Sequence, residues 1–453
     1  MLKKETFPKN FMWGTATSSY QIEGAPDTDG KGPSVWDKFS HTKGNIKNGD
    51  TGDIACDHYH LWSKDIELLN RLGVNSYRFS ISWPRIFPTG EENAPNQKGL
   101  DFYSRIVDTL LEYDIIPFVT LNHWDIPQGL EDKGGWTNRM MTEAFVKYCH
   151  YVSKHLGDRV KYWITHNEPW CVSHIGYIAG YKPPGIKNNW PKSLSAAHHL
   201  LLSHGMALPE IKINSRNAEA GITLNLNTSI PASPSKYDKE ASWFFDNMFN
   251  RLFLEPLYKG KYPLALFEEL KKRNAIADSD LGFIKENDLG LIATKTDFLG
   301  VNYYSRGVIR NEEIDESKNM PRNVKMGPIT DFGWEVYPAG IYDLLIQLKN
   351  KYNVEDIYIT ENGCSYSDGP NADKKIDDQR RIDYHRSHLE ELKLAIRDGV
   401  NCKGYFAWSL MDNFEWAQGY SQRFGLIWVD FDSLERIPKE SYFWYKNYIA
   451  ENK

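Results

Sequence analysis

Short runs of β-branched and aromatic residues alternate along the chain with stretches of helical periodicity. The runs are 11–16, 76–81, 115–121, 160–165, 221–226, 298–303, 357–360 and 404–408. Each is short and rich in β-branched or aromatic residues, as buried parallel strands are. Between them the apolar positions change period. In 65–72, Ile66, Leu69 and Leu72 form one helical stripe, and Gly73 follows as a stop signal. The segments 100–111 and 341–348 read the same way. Alternating β and α elements predict a parallel sheet, and eight strands with helical crossovers predict a closed barrel with no edge to protect. The expected class is therefore α/β, a single (β/α)8 TIM barrel. A doubly wound open sheet is the competitor, but Gly14 and Gly24 do not fit its Gly-x-Gly-x-x-Gly signature. No Ser/Gly-rich or Pro-rich tract separates domains, so residues 1–453 are expected to form one domain.

In such a barrel the chemistry sits at the C-terminal ends of the strands. The first run is followed by Ser18-Ser19-Tyr20-Gln21; the second contains Arg78 and leads to Ser82-Trp83. The third leads to Asn122-His123-Trp124-Asp125 and the fourth to His166-Asn167-Glu168-Pro169. The sixth gives Asn302-Tyr303-Tyr304, the seventh Glu361-Asn362-Gly363, and the eighth Trp408-Ser409 and then Asn413-Phe414-Glu415-Trp416. Solvent contact explains polarity at strand ends. It does not explain the repeated pairing of Trp with amides, which suits a polyhydroxylated ligand better than an anion or a nucleotide. Glu168 and Glu361 end the fourth and seventh runs, nearly opposite on a ring of eight. Acetal hydrolysis needs two such carboxyls, one to protonate the departing oxygen and one to attack or stabilise the anomeric carbon.

Composition narrows the partners. Lys+Arg 54 against Asp+Glu 60 gives a net charge of −6, and no basic block offers a grip on phosphate backbones, so no nucleic-acid partner is expected. No apolar run reaches the roughly 18 residues of a spanning helix, and no apolar h-region follows Lys3 and Lys4, so neither a membrane partner nor a signal peptide is expected. The five cysteines are odd in number and widely spaced, without a Cys-x-x-Cys pair. A reducing, cytoplasmic setting is the simplest reading. Aromatic residues reach 14%, consistent with a packed core or with rings that stack on sugars.

At the strand ends the sequence resembles glycoside hydrolase family 1, the β-glucosidase family. The likeness runs from Phe11-Met12-Trp13-Gly14 and Tyr20-Gln21-Ile22-Glu23-Gly24 to Trp444-Tyr445. It is carried by four specific motifs: Tyr77 to Arg85 (YRFSISWPR), Thr165-His166-Asn167-Glu168-Pro169, Ile359-Thr360-Glu361-Asn362-Gly363, and Trp408 to Trp416 (WSLMDNFEW). The resemblance implies a retaining β-glycosidase that cleaves terminal β-D-glucosyl, β-galactosyl or β-fucosyl residues from small β-glucosides or cello-oligosaccharides. It makes Glu168 the acid/base and Glu361 the nucleophile. It gives Gln21, His123, Asn167, Glu415 and Trp416 the sugar hydroxyls, Trp408 the platform beneath the ring, and Trp334 the leaving-group platform. Arg78 and Tyr303 would orient and charge-stabilise the nucleophile. No cofactor or metal is required.

Elementary electrostatics fits these roles. A carboxylate beside Arg78 stays ionised, whereas an acid must hold its proton near neutral pH, so Glu168 is expected to have a raised pKa. Glu at 168, where related thioglucosidases carry Gln, argues for ordinary O-glycosides. Glu415 would repel a sugar phosphate and argues for an unphosphorylated sugar. His166 stands where Phe or Leu is usual and could titrate between pH 5 and 8. Asp57-His58-Tyr59-His60 and His198-His199 match no zinc-ligand spacing. A non-catalytic sugar-binding barrel is the rival reading; such a relative would be expected to lack one of the two Glu. The sequence leaves the oligomeric state open.

Overall fold

The computed structural model describes residues 6–314 and 321–453. Eight parallel strands close into a barrel: β1 Met12–Ala16, β2 Ser76–Ser80, β3 Ile116–Asn122, β4 Tyr162–Asn167, β5 Glu219–Asn225, β6 Phe298–Asn302, β7 Ile357–Asn362 and β8 Cys402–Trp408. They pair in sequence order, and β8 returns to β1 with Met12 opposite Gly404 and Ala16 opposite Trp408. Every apolar run read from the sequence is one of these strands, shifted by no more than a few residues.

A helix or helical segment follows each strand on the outside: α1 His58–Leu72, α2 Gln97–Glu112, α3 Met140–Leu156, α4 Trp190–Asn214, α5 Lys236–Asp246, α6 Ala339–Gln347, α7 Gln379–Arg397 and α8 Glu440–Asn452. Gly73 ends α1 at φ 81, its N–H returned to the carbonyls of Leu69 and Asn70. That is the left-handed cap glycine supplies most readily. Among the described residues no helix is long and apolar enough to cross a membrane. A small three-stranded sheet, Ser229–Pro231, Gly307–Ile314 and Pro321–Asn323, packs beside α5.

Alternation along the strands divides the core in two. Met12, Phe118, Tyr162, Ile164, Phe298, Tyr358 and Phe406 fill the barrel interior. Phe118 stacks on Tyr162 at 5.0 Å and meets Tyr358 and Phe406 edge-on, each at 5.1 Å. Such pairs contribute about 0.5–1.5 kcal/mol each beyond burial. The intervening residues face the helices: Trp13 packs on Phe7 and Phe11, and Tyr445 of α8 donates to the Gly14 carbonyl at 3.0 Å. The interior is thus a plug of rings, and open space begins only above it.

The upper rim of β7 and β8 is packed against backbone. A Cβ built on Gly363 would lie 1.8 Å from the Trp408 carbonyl oxygen. The Glu-Asn-Gly sequence at 361–363 therefore has a packing cause. We predict that Gly363→Ala lowers stability by at least about 1–3 kcal/mol, the usual penalty of overpacking. Gly290→Ala, at a helical position with nothing within 4 Å, should be neutral or slightly stabilising. Chemical denaturation of the two variants compares them directly.

Candidate active site

A cavity of about 1180 Å³ opens above the plug, and its walls include His123, Trp124, Glu168, Glu361, Trp408 and Trp416. Simple strand alternation does not predict this set. On β4, Tyr162 and Ile164 face inward, so Asn167 should face out. The pairing of β4 with β5 shifts between Ile164 and Asn167. Thr165 and His166 both turn to α4, bonding His204 and Ser203, and Asn167 is brought inward beside Arg78. On β7, Thr360 faces inward to Asn302, and a register shift after Ile359 brings the next residue, Glu361, inward as well. Bulges of this kind re-aim side chains next to active sites.

Glu361 is 3% exposed and held by two donors. Arg78 Nη1 donates to Oε1 at 2.6 Å, and the Tyr304 hydroxyl donates to Oε2 at 2.6 Å. Arg78 is fixed in turn by Thr120 Oγ1, the Thr360 carbonyl and Asn167 Oδ1. The second partner corrects the expectation for Tyr303. Asn302 closes β6 facing inward, so Tyr303 faces out, where its hydroxyl donates to the Tyr337 carbonyl at 2.7 Å and its ring meets His388 of α7. The inward tyrosine is Tyr304.

Glu168 stands opposite, 6% exposed, with its backbone at φ 48. Asn302 Nδ2 donates to Oε1 at 2.7 Å and the Cys171 thiol to Oε2 at 3.1 Å. Trp124 and Trp416, also cavity walls, have φ of 76 and 49. With Asn188 at φ 52, four non-glycine residues in the left-handed region line one cavity and mark a site where local strain is held by surrounding packing.

Asn167 sets the chemistry of its neighbour. Its Oδ1 accepts from Arg78 at 2.7 Å and from Asn302 at 3.1 Å, so its Nδ2 is turned to His123 Nε2 at 3.0 Å. The imidazole must accept there, which assigns its proton to Nδ1. His123 Nδ1 is buried without a hydrogen-bond partner among the described residues. His123 stacks beside Trp408 and Trp416, each at 5.9 Å. Gln21 is buried beside Glu415, and its Nε2 donates to Asn413 Oδ1, the Phe414 carbonyl and, at 3.4 Å, Glu415 Oε2. The loop bearing Glu415 is anchored by buried Asp412, which accepts from Lys439 Nζ, Arg423 Nη1 and the Gly425 N–H. Trp334 sits elsewhere on the wall, in an aromatic cluster with Tyr304, Phe332 and Phe424.

Burial governs the protonation of these groups. It pushes Glu415 up to about 8, against Lys182 and Gln21, which pull down, and with the charges of Glu361 and Glu168 adding to the push. It raises Glu361 too; Arg78 and Tyr304 oppose the rise and the charge on Glu168 adds to it. Glu361 receives a guanidinium and a hydroxyl, and the charged donor favours its carboxylate form; Glu168 receives only neutral donors, an amide and a thiol. His166 is buried between Asn122 Nδ2 and Ser203 Oγ and stacked on Phe145 at 4.2 Å. Burial pushes its pKa, like that of His123, well below the ordinary value. The expectation of a titrating group at 166 therefore fails, because the ring has left the cavity for the helix layer.

The structure thus brings together Gln21, Arg78, His123, Asn167, Glu168, Glu361, Trp408, Glu415 and Trp416, with Trp334 farther along the wall, and separates Tyr303 from them. The sequence reading gave no role to Tyr304, Asn302, Cys171 or Lys182. Cys171 had a legible signal: it lies one turn beyond Glu168, and its N–H bonds the Glu168 carbonyl. Lys182 had none; its ammonium lies 3.3 Å from the Trp124 ring centre. The histidines once weighed as metal ligands have local partners, His58 with Asp65 and His198 with Asp288 and Tyr262.

This barrel, with two buried carboxyls facing one aromatic cavity, is the architecture of a glycoside-cleaving enzyme. The family model for glycosyl hydrolase family 1 matches residues 3–453, and the chain belongs to that family. It is 48% identical to beta-glucosidase A of Acetivibrio thermocellus over 453 residues, covering 100% of each. It is 44% identical to a bifunctional beta-D-glucosidase/beta-D-fucosidase of Bifidobacterium breve, covering 98% of each. Among solved structures it superposes on a beta-glucosidase from Thermotoga maritima in complex with glucoimidazole with a TM-score of 0.93 and 45% identity, covering 99% of this chain and 100% of that one.

The locked histidines give a direct test. Both rings are held neutral, so the NMR resonances of His123 and His166 should not shift between pH 5 and 8. A sigmoidal shift for His166 in that window would contradict its buried, hydrogen-bonded placement.

Proposed function

We propose that the chain is a retaining β-glucosidase that removes terminal β-D-glucosyl residues, and with them β-galactosyl or β-fucosyl residues, from small β-glucosides and cello-oligosaccharides. The observation that carries this reading is the unequal clamping of two carboxyls across one cavity. Glu361 is held by Arg78 and Tyr304, and Glu168 by Asn302 and Cys171. The first arrangement, with a guanidinium donor, favours a charged nucleophile, and the carboxyl without a cationic partner takes the acid/base role.

The reaction then takes two displacements. Glu361 attacks the anomeric carbon from the face opposite the leaving group while Glu168 gives its proton to the glycosidic oxygen. The C–O bond to the leaving group breaks and a glycosyl ester of Glu361 forms. Esterification removes the charge on Glu361, so Glu168 ionises more easily and takes a proton from an incoming water. That water attacks the same carbon, Glu361 departs as carboxylate, and the sugar leaves with its original β configuration. His123 Nδ1–H, Asn167, Gln21, Glu415 and Trp416 bind the sugar hydroxyls, Trp408 lies beneath the ring, and Trp334 faces the leaving group. A galactosyl or fucosyl unit alters only one or two of these hydrogen bonds. We also infer that residues 1–453 act as one catalytic unit and that, with five buried unpaired thiols, the enzyme works in the reducing cytoplasm.

Glu361→Ala should lower hydrolysis of a nitrophenyl β-glucoside by at least about 10⁴-fold. Azide should restore part of the turnover and give the α-glycosyl azide, read by proton NMR. Near-wild-type activity in this variant would sink the assignment, as would α-glucose appearing first from the wild-type enzyme. Glu168→Ala should retain the first step on an activated nitrophenyl substrate yet hardly cleave cellobiose; equal losses on both would exclude the acid role.

The two adjacent tyrosines separate position from chemistry. Tyr304→Phe removes a hydrogen bond to a charged carboxylate, a contact worth about 1.5–3 kcal/mol, and should lower kcat/KM roughly 10- to 100-fold. Tyr303→Phe should cost about 1 kcal/mol of stability and leave kcat/KM within about twofold. The reverse ranking would restore Tyr303 as the partner of Glu361.

A further inference from the structure

The two oxygens of Glu168 are held by donors of different kinds. Asn302 Nδ2 donates to Oε1 at 2.7 Å, and the Cys171 thiol donates to Oε2 at 3.1 Å. The amide is locked in that orientation. Its Oδ1 accepts from Thr360 Oγ1 at 2.8 Å, and its Nδ2 also donates to Asn167 Oδ1 at 3.1 Å. Oε1 therefore always faces an N–H, which favours the carbonyl oxygen of a neutral carboxyl over its hydroxyl oxygen. When Glu168 is the acid, its proton belongs on Oε2, the oxygen that Cys171 touches.

The fold fixes this thiol from several sides. Cys171 lies one turn beyond Glu168 and is 6% exposed. It opens a wide-turned π-helical segment, Cys171–Ala179, whose residues Cys171, His174, Ile175, Ile178 and Ala179 all line the cavity. Such wide turns recur at functional sites. The backbone between the two side chains is pinned. The Glu168 N–H donates to the Thr223 carbonyl, and the Cys171 N–H donates to the Glu168 carbonyl, each at 2.9 Å. Asn225 Nδ2 donates to Sγ at 3.8 Å, so the sulfur accepts there and its own hydrogen is left for Oε2. Burial and the charge on Glu168 push the Cys171 pKa well up, so the group stays a thiol.

We propose that Cys171 is a positioning residue for the acid/base: its thiol fixes Oε2 of Glu168 as the proton-bearing oxygen and aims that O–H into the cavity, at the glycosidic oxygen. This rests on the β-glucosidase reading. An S–H that fills one lone-pair direction of Oε2 leaves the other for the hydroxyl hydrogen. Glu168 lines the cavity, so the remaining direction is the one the leaving group can meet. Without the S–H, the carboxyl is tied at Oε1 alone and its O–H is no longer held on line, a loss of orientation that slows proton transfer.

Leaving groups separate this role from a purely structural one. A 2,4-dinitrophenolate departs without a proton, whereas the glucose released from cellobiose needs one, and kcat/KM reports the first displacement for both. Cys171→Ala and Cys171→Val remove the donor and differ in volume. In each, kcat/KM for cellobiose should fall about 5- to 10-fold further than for 2,4-dinitrophenyl β-D-glucoside. Cys171→Ser keeps a donor and should hold the ratio of the two within about twofold of wild type. Melting temperatures check that the variants are folded. Equal losses on both substrates, or no loss on either, would overturn the proposal and leave Cys171 a packing residue. A serine variant as impaired in that ratio as the alanine variant would overturn it too. All of these results leave the glucosidase reading intact. A wild-type enzyme that cleaves neither substrate would instead defeat that reading, and the proposal with it.

Discussion

The site depends on one buried guanidinium. Arg78 stands on β2 and reaches three other strands: Thr120 on β3, Asn167 on β4, and the Thr360 carbonyl with Glu361 on β7. A guanidinium with no exposure has lost its water entirely and is tolerable only when its donors are met. Here the fork meets four acceptors whose positions are thereby fixed relative to one another. Through Glu361 it sets the anion; through Asn167 it sets the tautomer of His123 and the register of the residue beside Glu168. Lysine has the charge but not the fork, and could hold only part of this set.

The barrel was legible because its evidence is redundant. Eight apolar runs and the helical stripes between them report the same layered packing, and a shift of one or two residues at a strand end does not disturb the inference. The site was legible at Glu168 and Glu361 because chemistry selects residue type as well as position. It was illegible where a side chain's direction depended on backbone register. Alternation from Ile164 would place His166 inward and Asn167 outward; the bulge in β4 reverses both. At β6 alternation holds past the strand end, and the adjacent tyrosines exchange the roles that residue type alone could not distinguish. Lys182 was unreadable for another reason: a lysine on a loop carries no periodicity.

The same bulges explain how two carboxyls come to share one cavity. A regular strand sends every second side chain to each face, so consecutive inward residues need a break in the ladder. β7 uses its break to put Thr360 inward as a strut for Asn302 and Glu361 inward as the anion. Asn302 in turn donates to Glu168 and Asn167. One irregularity therefore connects both carboxyls through a single amide, so their separation is set by covalent and hydrogen-bonded distances rather than by loop conformation. Positioning of that kind is where much of a rate enhancement originates.

The aromatic plug determines which end of a substrate can react. Phe118, Tyr162, Tyr358 and Phe406 close the barrel below the carboxyls, and Trp408, Trp416 and His123 are almost fully buried at the wall beside them. A chain of sugars has no passage through the barrel, so a bound oligosaccharide must end at that wall. On the proposed reading this makes cleavage exo: the terminal unit fills the closed end, and everything beyond the scissile bond points to the opening lined by Trp334. Selection then divides in two. The closed end discriminates hydroxyl by hydroxyl through buried donors and acceptors that lose partners when a group is misplaced. The open end, built of broad aromatic faces, discriminates by surface and tolerates a range of shapes.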